Sequence, residues 1–219
     1  MKCPNCNETK HEAGAKFCHV CGAKLPEQKK YVYGDLAFTE RLKPRQETKH
    51  IVITHSQILK PHTIDYIHRL HQKKRGWAGV AYHYFVDKDG DVFIGRPVDT
   101  IGAFSKEYNK DSICVCFEGD FTKETLTDKQ FDGDARILLM FLEYFYSYSL
   151  LFLDELQGYN GSPIRGFRKD FVRKSLASSL EGFEHEREIM FGKAEAATFY
   201  DWIDEQLTNF GIPHEQYSY

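Results

Sequence analysis

Between Lys49 and Tyr146 the pattern of apolar and polar positions changes period several times. Ile51-Val52-Ile53 is a short continuous apolar run, which predicts an internal strand. In "HTIDYIHRLHQKKRGW" the residues Ile64, Ile67, His68 and His71 recur at helical spacing. Thr63 is placed to cap that helix and Gly76 to end it. "GVAYHYFVDKDGDVFIGRP" then alternates, with Val80, Tyr82, Tyr84 and Val86 set against Ala81, His83 and Phe85. Asp89-Gly90 supplies a turn and Val92 to Ile94 return, so this stretch predicts a hairpin. "DSICVCFEGDF" predicts another buried strand. "LTDKQFDGDARILLMFLEYF" opens on Thr127, a second capping residue, and predicts a long helix. The order strand, helix, hairpin, strand, helix implies an α/β domain with a mixed central sheet flanked by helices.

The most apolar stretch, "ILLMFLEYFYSYSLLFL" from Ile137 to Leu153, has 17 residues and one charge, Glu143. A membrane span needs about 20 apolar residues. Tyrosines and serines interrupt this one, and Asp154 and Glu155 close it, so it predicts a buried core helix and not an integral membrane protein. The 219 residues suffice for one good core and a small appendage. Aromatic residues make up 15% of the chain, which favours a large core or a ligand groove. The formal net charge of -3 argues against a nucleic-acid binder driven by phosphate neutralisation. The opening "MKCPNCNETK" has no apolar run of the kind an export signal carries, which predicts a cytoplasmic chain with reduced cysteines.

Cys3, Cys6, Cys18 and Cys21 form two C-x2-C knuckles, "CPNC" and "CHVC", eleven residues apart. Four thiolates at this spacing can close a tetrahedron around zinc. His11 and His19 are alternative ligands. The stretch resembles the short zinc ribbons at the ends of many bacterial proteins. A ribbon over residues 1–25 has almost no core, so one structural zinc must hold it folded. A closed four-thiolate site leaves no open position for a substrate, which points to docking. Residues 26–48 predict a linker, 49–177 the main domain and 178–219 a helical C-terminal extension. In that extension Phe199, Trp202, Ile203 and Leu207 can share a helix face, Gly211 ends the helix, and "HEQYSY" is expected to fray. A protein partner could dock on the ribbon or on this helix.

The central segment resembles the type-2 N-acetylmuramoyl-L-alanine amidases, whose fold is shared by peptidoglycan recognition proteins and amidase-type phage lysozymes. The resemblance is carried in order by Gly76-Trp77, Tyr82-His83-Tyr84, Asp89-Gly90, Gly95-Arg96-Pro97, Ile101-Gly102-Ala103, Tyr108-Asn109, Ser112-Ile113 and Glu118-Gly119-Asp120. It runs from about Lys49 to about Ser175. It implies that fold, and a zinc hydrolase that cuts the amide between the lactyl group of N-acetylmuramic acid and L-alanine. Family members hold their zinc with two histidines and a cysteine or aspartate. The first histidine ends the first strand, the second follows the long helix, and the third ligand comes roughly eight or more residues later.

This sequence departs from that ligand set. Aligning Ile51-Val52-Ile53 puts Thr54 in the first ligand position with His55 beside it, and His55 could serve only through a bulge, since neighbouring strand residues face opposite ways. Gly166-Phe167-Arg168 is the best match for the second segment, which places Phe167 where the histidine belongs, with Arg173 and Ser175 near the later positions. The family's Ala-His is Ala103-Phe104. The expectation is therefore a pseudoenzyme with no catalytic residue and no catalytic zinc, binding a muropeptide or another small ligand in the inherited groove. Its ligand-binding candidates are Thr54, His55, Tyr82, Arg96, Phe104, Asn109, Phe167 and Arg173. If the chain is instead an active amidase or endolysin, Tyr82 and His55 are the catalytic candidates, and release through a membrane lesion would bring it to the wall. A protein–protein adaptor is the third reading. His68 and His71, His83, and Cys114 with Cys116 are expected to be core residues.

Overall fold

The computed structural model describes residues 3, 5–8, 17–24, 31–33, 35–146, 149–190 and 196–213. His11, part of the linker and the 214–219 end lie outside them. The two knuckles are built alike. The Cys3 N–H donates to the Glu8 carbonyl and the Asn7 N–H to the Cys3 carbonyl, and Cys18, Ala23 and Gly22 repeat the pattern. Asn7 (φ 63°) and Gly22 (φ 73°) both take the left-handed turn that each knuckle needs.

A two-stranded antiparallel ribbon, β1 (Tyr31–Tyr33) and β2 (Leu36–Phe38), precedes the main sheet. That sheet contains β3 (His50–His55), β4 (Tyr84–Val86), β5 (Val92–Ile94), β6 (Ser112–Phe117) and β7 (Ser149–Phe152), in the order β5-β4-β6-β3-β7. β3 lies between β6 and β7 and is parallel to both, and only β5 runs antiparallel to its neighbour. The mixed sheet is thus as expected. Its inner strands β3, β4 and β6 are buried on both faces, as continuous apolar runs require, while β7 closes the edge half-exposed.

Helix α1 (Ile64–Leu70) covers one face, with Thr63 accepting the Tyr66 N–H as its cap. A wider π turn, His71–Arg75, extends it to Gly76, which adopts the left-handed conformation. The other face carries α2 (Asp128–Phe131), α3 (Asp134–Tyr146), α4 (Lys169–Met190) and α5 (Ala196–Asn209). The predicted long helix is therefore broken at Gly133 (φ 75°) into α2 and α3. The apolar run from Ile137 to Leu153 is not one helix either. Its last part is β7, where Leu150, Leu151 and Phe152 pair with Ile51, Val52 and Ile53 along the open edge of β3. Two features favour that outcome: the Tyr-Ser-Tyr-Ser stretch is a poor helix former, and the edge offers a full ladder of backbone bonds.

The C-terminal extension shares the core of the main domain. Helix α4 runs unbroken through residues 177–178, and Leu176 and Phe183 both belong to the main cluster. Ile203, Leu207, Phe210 and Ile212 are buried in that same cluster, while the Tyr84 hydroxyl donates to the Phe210 carbonyl at 2.9 Å. No helix among the described residues is long and apolar enough to cross a membrane.

Candidate functional site

In an open sheet, ligand sites collect at the carboxyl ends of parallel strands. Here those ends are Thr54 and His55 of β3, Phe117 and Glu118 of β6, and Leu153 and Asp154 beyond β7. Strand alternation sorts their side chains. Phe85 and Cys116 face α1 with Phe38, Ile67 and Val80, whereas Ile51, Ile53 and Phe117 face α3 and α4. Thr54 pairs with Cys116 in register and lies on the α1 side. His55, one residue on, points the other way, and its ring lies 6.1 Å from that of Phe121 and 5.8 Å from that of Phe167.

His55 does not fit a metal. Its Nδ1 accepts the Phe121 N–H at 3.0 Å, so the neutral ring carries its proton on Nε2. That Nε2 is buried and meets no hydrogen-bond partner. Burial lowers the pKa of the ring, against the pull of Asp120, whose carboxylate is 3.8 Å from Nδ1. No bulge reorients it, since β3 pairs with β6 in unbroken register through His55.

Phe167 is not a groove residue. It lies in a 3-10 turn, Arg165–Phe167, and is fully buried, with ring centroids 4.7 Å from Phe121 and 5.4 Å from Phe152. The long helix is followed by β7, so the segment beside the end of β3 is Leu153–Glu155 and not Gly166–Arg168. The β3–β7 pairing ends at Ile53 and Phe152, and the 3-10 turn Leu153–Glu155 then follows next to the end of β3. Asp154 is already engaged: its Oδ2 accepts the Ile164 N–H at 2.8 Å and its Oδ1 the Lys169 ammonium at 2.6 Å. Burial would raise its carboxyl, but Lys169 and the Ile164 N–H outweigh burial and hold it below the ordinary value. Nine residues after Leu153, at about the spacing of the third ligand, stands Ser162, a hydroxyl. Thr54, Leu153 and Ser162 do not make a site of two imidazoles with a thiolate or carboxylate.

The remaining candidates separate into struts and surface. Tyr82 shares the α1 face with Thr54 and Cys116, and burial raises its pKa well above the ordinary value. Arg96 is 5% exposed, and its guanidinium donates to the Val80 carbonyl at 2.7 Å and the Ile101 carbonyl at 3.0 Å. Burial lowers its pKa to about 10, against Glu40. It borders a pocket of about 290 Å³ with Trp77, Gly102 and Ala103. Asn109 spends its side-chain carbonyl on the Phe104 and Ser105 N–H groups, and the Phe104 ring lies against Gly102, where a Cβ would come within 3.0 Å of it. Arg173 lies on the α4 side, its guanidinium 5.0 Å from the Phe152 centroid. The eight candidates therefore do not share one groove: the sheet separates Thr54 and Tyr82 from His55, Phe167 and Arg173.

Three further histidines, His68, His71 and His83, hold backbone. His68 Nδ1 accepts the Val80 N–H and His71 Nδ1 the Ala81 N–H, both at 3.2 Å. His83 accepts the Cys114 N–H through Nδ1 and donates from Nε2 to the Thr100 carbonyl. Burial lowers His71 to about 4 and His83 to about 3. At the ribbon the four cysteine sulfurs lie within 4.8 Å of one another and could hold a metal ion; no other group of three or more possible ligands gathers among the described residues.

Comparison with known proteins now adds to this geometry. Residues 44–146 match the family Amidase_2, N-acetylmuramoyl-L-alanine amidase. This stretch carries the likeness to that family. Over 93 residues the chain is 33% identical to the endolysin of Enterobacteria phage T3, which covers 42% of this chain and 61% of the endolysin. The chain thus spans about six-tenths of the length of that curated relative. The solved amidase LysC from Clostridium intestinale has the same fold, with TM-score 0.59 and 24% identity over 70% of this chain and 99% of LysC. A solved complex of tracheal cytotoxin with the ectodomains of peptidoglycan recognition proteins LCa and LCx matches at TM-score 0.52 and 25% identity, over 57% of this chain and 82% of that one. The matched residues carry β3 to β6 and α1 to α3; the knuckles, β1, β2, β7, α4 and α5 lie outside them.

Proposed function

We propose that this chain is a catalytically inactive member of the amidase fold that binds peptidoglycan fragments, with a structural zinc in its N-terminal knuckles. One observation carries the reading. At the end of β3 Thr54 lies on the α1 side, while the imidazole of that strand, His55, is turned into the opposite core with its Nδ1 engaged. Support for a muropeptide ligand comes from the recognition-protein complex with tracheal cytotoxin, and from the exposed Trp77 and the pocket beside it. The donor set of the knuckles suits zinc, which would hold the module folded and supply no open coordination position. Exposed Phe17 (60%) and Val20 (58%) give that module an apolar surface for a partner.

The active alternative rests on the endolysin likeness. Incubation of the full chain with a purified muropeptide, followed by mass spectrometry and calorimetry, separates the two. Binding with the muropeptide recovered intact supports the proposal, and release of the stem peptide overturns it.

A further inference from the structure

A second cleft opens at the far end of β7, on the α4 side of the sheet. It has a volume of about 630 Å³ and is lined by the cations Arg165, Arg168, Lys169 and Arg173 and the acids Asp154, Glu155 and Asp170, with Pro163 and Phe171. Residues 165–174 carry five cations against one acid, in a chain whose net charge is -3. Such local concentration marks a surface for anions.

The cations are held in place before any ligand arrives. Arg168 stacks on the Phe171 ring at 4.0 Å, and Lys169 and Arg173 lie over Phe152 at 5.5 and 5.0 Å. Lys169 also bridges Asp154 and Glu155 at 2.6 and 3.7 Å, and Arg173 meets Glu155 at 2.6 Å. These two cations are committed to internal carboxylates. Arg165 is not: it is exposed and meets no acid among the described residues. Arg168 pairs only with Asp128, whose side chain is 67% exposed, and a surface pair of that kind is worth little and exchanges readily.

We propose that this cleft takes a carboxylate of an acidic peptide between Arg165 and Arg168. The inference rests on the muropeptide reading, in which a stem peptide brings the carboxylate. Guanidinium forks match carboxylate geometry, and the two internal carboxylates already sit among the cations of this cleft. Asp154, Glu155 and Asp170 on its walls disfavour a dianion, which selects against phosphate.

The test uses the full chain with N-acetylmuramoyl-L-alanyl-D-glutamate and its neutral diamide, by calorimetry at low salt. The acid should bind at least tenfold more tightly than the diamide, and the doubly substituted R165Q/R168Q protein should lose that preference while keeping its melting temperature. Equal affinity for acid and diamide, or an unchanged preference in R165Q/R168Q, overturns the cleft but leaves the muropeptide reading standing. Failure of both probes to bind overturns both. Competition by inorganic phosphate at lower concentration than the acid peptide also overturns the carboxylate assignment.

Discussion

Acid should unfold the main domain earlier than its carboxylates alone would. The perturbation is pH, and the groups are His71 and His83, which are 8% and 0% exposed and hold backbone N–H groups as neutral rings. Their folded pKa values, about 4 and about 3, lie below the ordinary 6.5. In the folded state each ring resists protonation, whereas in the unfolded chain it takes up a proton near pH 6.5. The unfolded state therefore binds more protons between these values, and stability falls as pH falls through that window. Each group contributes about 1.4 kcal/mol per pH unit. From pH 6.5 to 4.5 the pair removes about 4 to 5 kcal/mol, much of the usual stability of about 5–15 kcal/mol. Urea melts at several pH values measure this directly. The only two tryptophans, Trp77 and Trp202, lie outside the knuckles, so their fluorescence reports the main core and not metal loss from the ribbon. A midpoint that stays constant or rises from pH 6.5 to 4.5 would refute the reasoning.

Three further outcomes follow. Phe167→Ala empties a site walled by Phe117, Phe121 and Phe152, and should lower stability by about 3–5 kcal/mol in urea melts; a loss under 1 kcal/mol would return Phe167 to the surface. Deleting residues 196–219 uncovers the core faces met by Ile203, Leu207 and Phe210 and removes the Tyr84 bond, so the shortened chain should melt well below the full one or aggregate; an unchanged melting temperature would show that α5 is dispensable. A thiol-competing chelator should unfold the knuckles, seen as a loss of protection from proteolysis before residue 25, without moving the tryptophan-detected melt of the main core.

Much of the fold could be read from pattern because local signals agreed with the tertiary outcome. Thr63 and Thr127 cap the helices they precede, and Asp89-Gly90 lies in the turn between β4 and β5. The run from Ile137 to Leu153 could not be read this way, because an apolar stretch buried in a sheet and one buried in a helix have the same composition. Only the vacant edge of β3 decides that Leu150 to Phe152 pair as a strand. Without β7, the segment after the long helix reads as Gly166–Arg168, which puts Phe167 in the groove with Thr54 although the sheet lies between them. A signal for the better position was present, since Asp154 and Glu155 abruptly close the apolar run. The orientation of His55 was legible in part: alternation alone turns it from the face of Thr54, but only the structure shows that Phe121 occupies its Nδ1. The long helix α4 was masked by its mixed charge, which hides the stripe of Val172, Leu176 and Phe183 that it buries.

The central claim is that the metal of this chain belongs to the knuckles and not to the strand ends. Elemental analysis of the purified full chain, dialysed against zinc and then against buffer, tests it most directly. One zinc per chain, lost when Cys3 and Cys6 are replaced by serine, is the predicted result. Two zinc ions per chain, with the second retained in that variant, would contradict it.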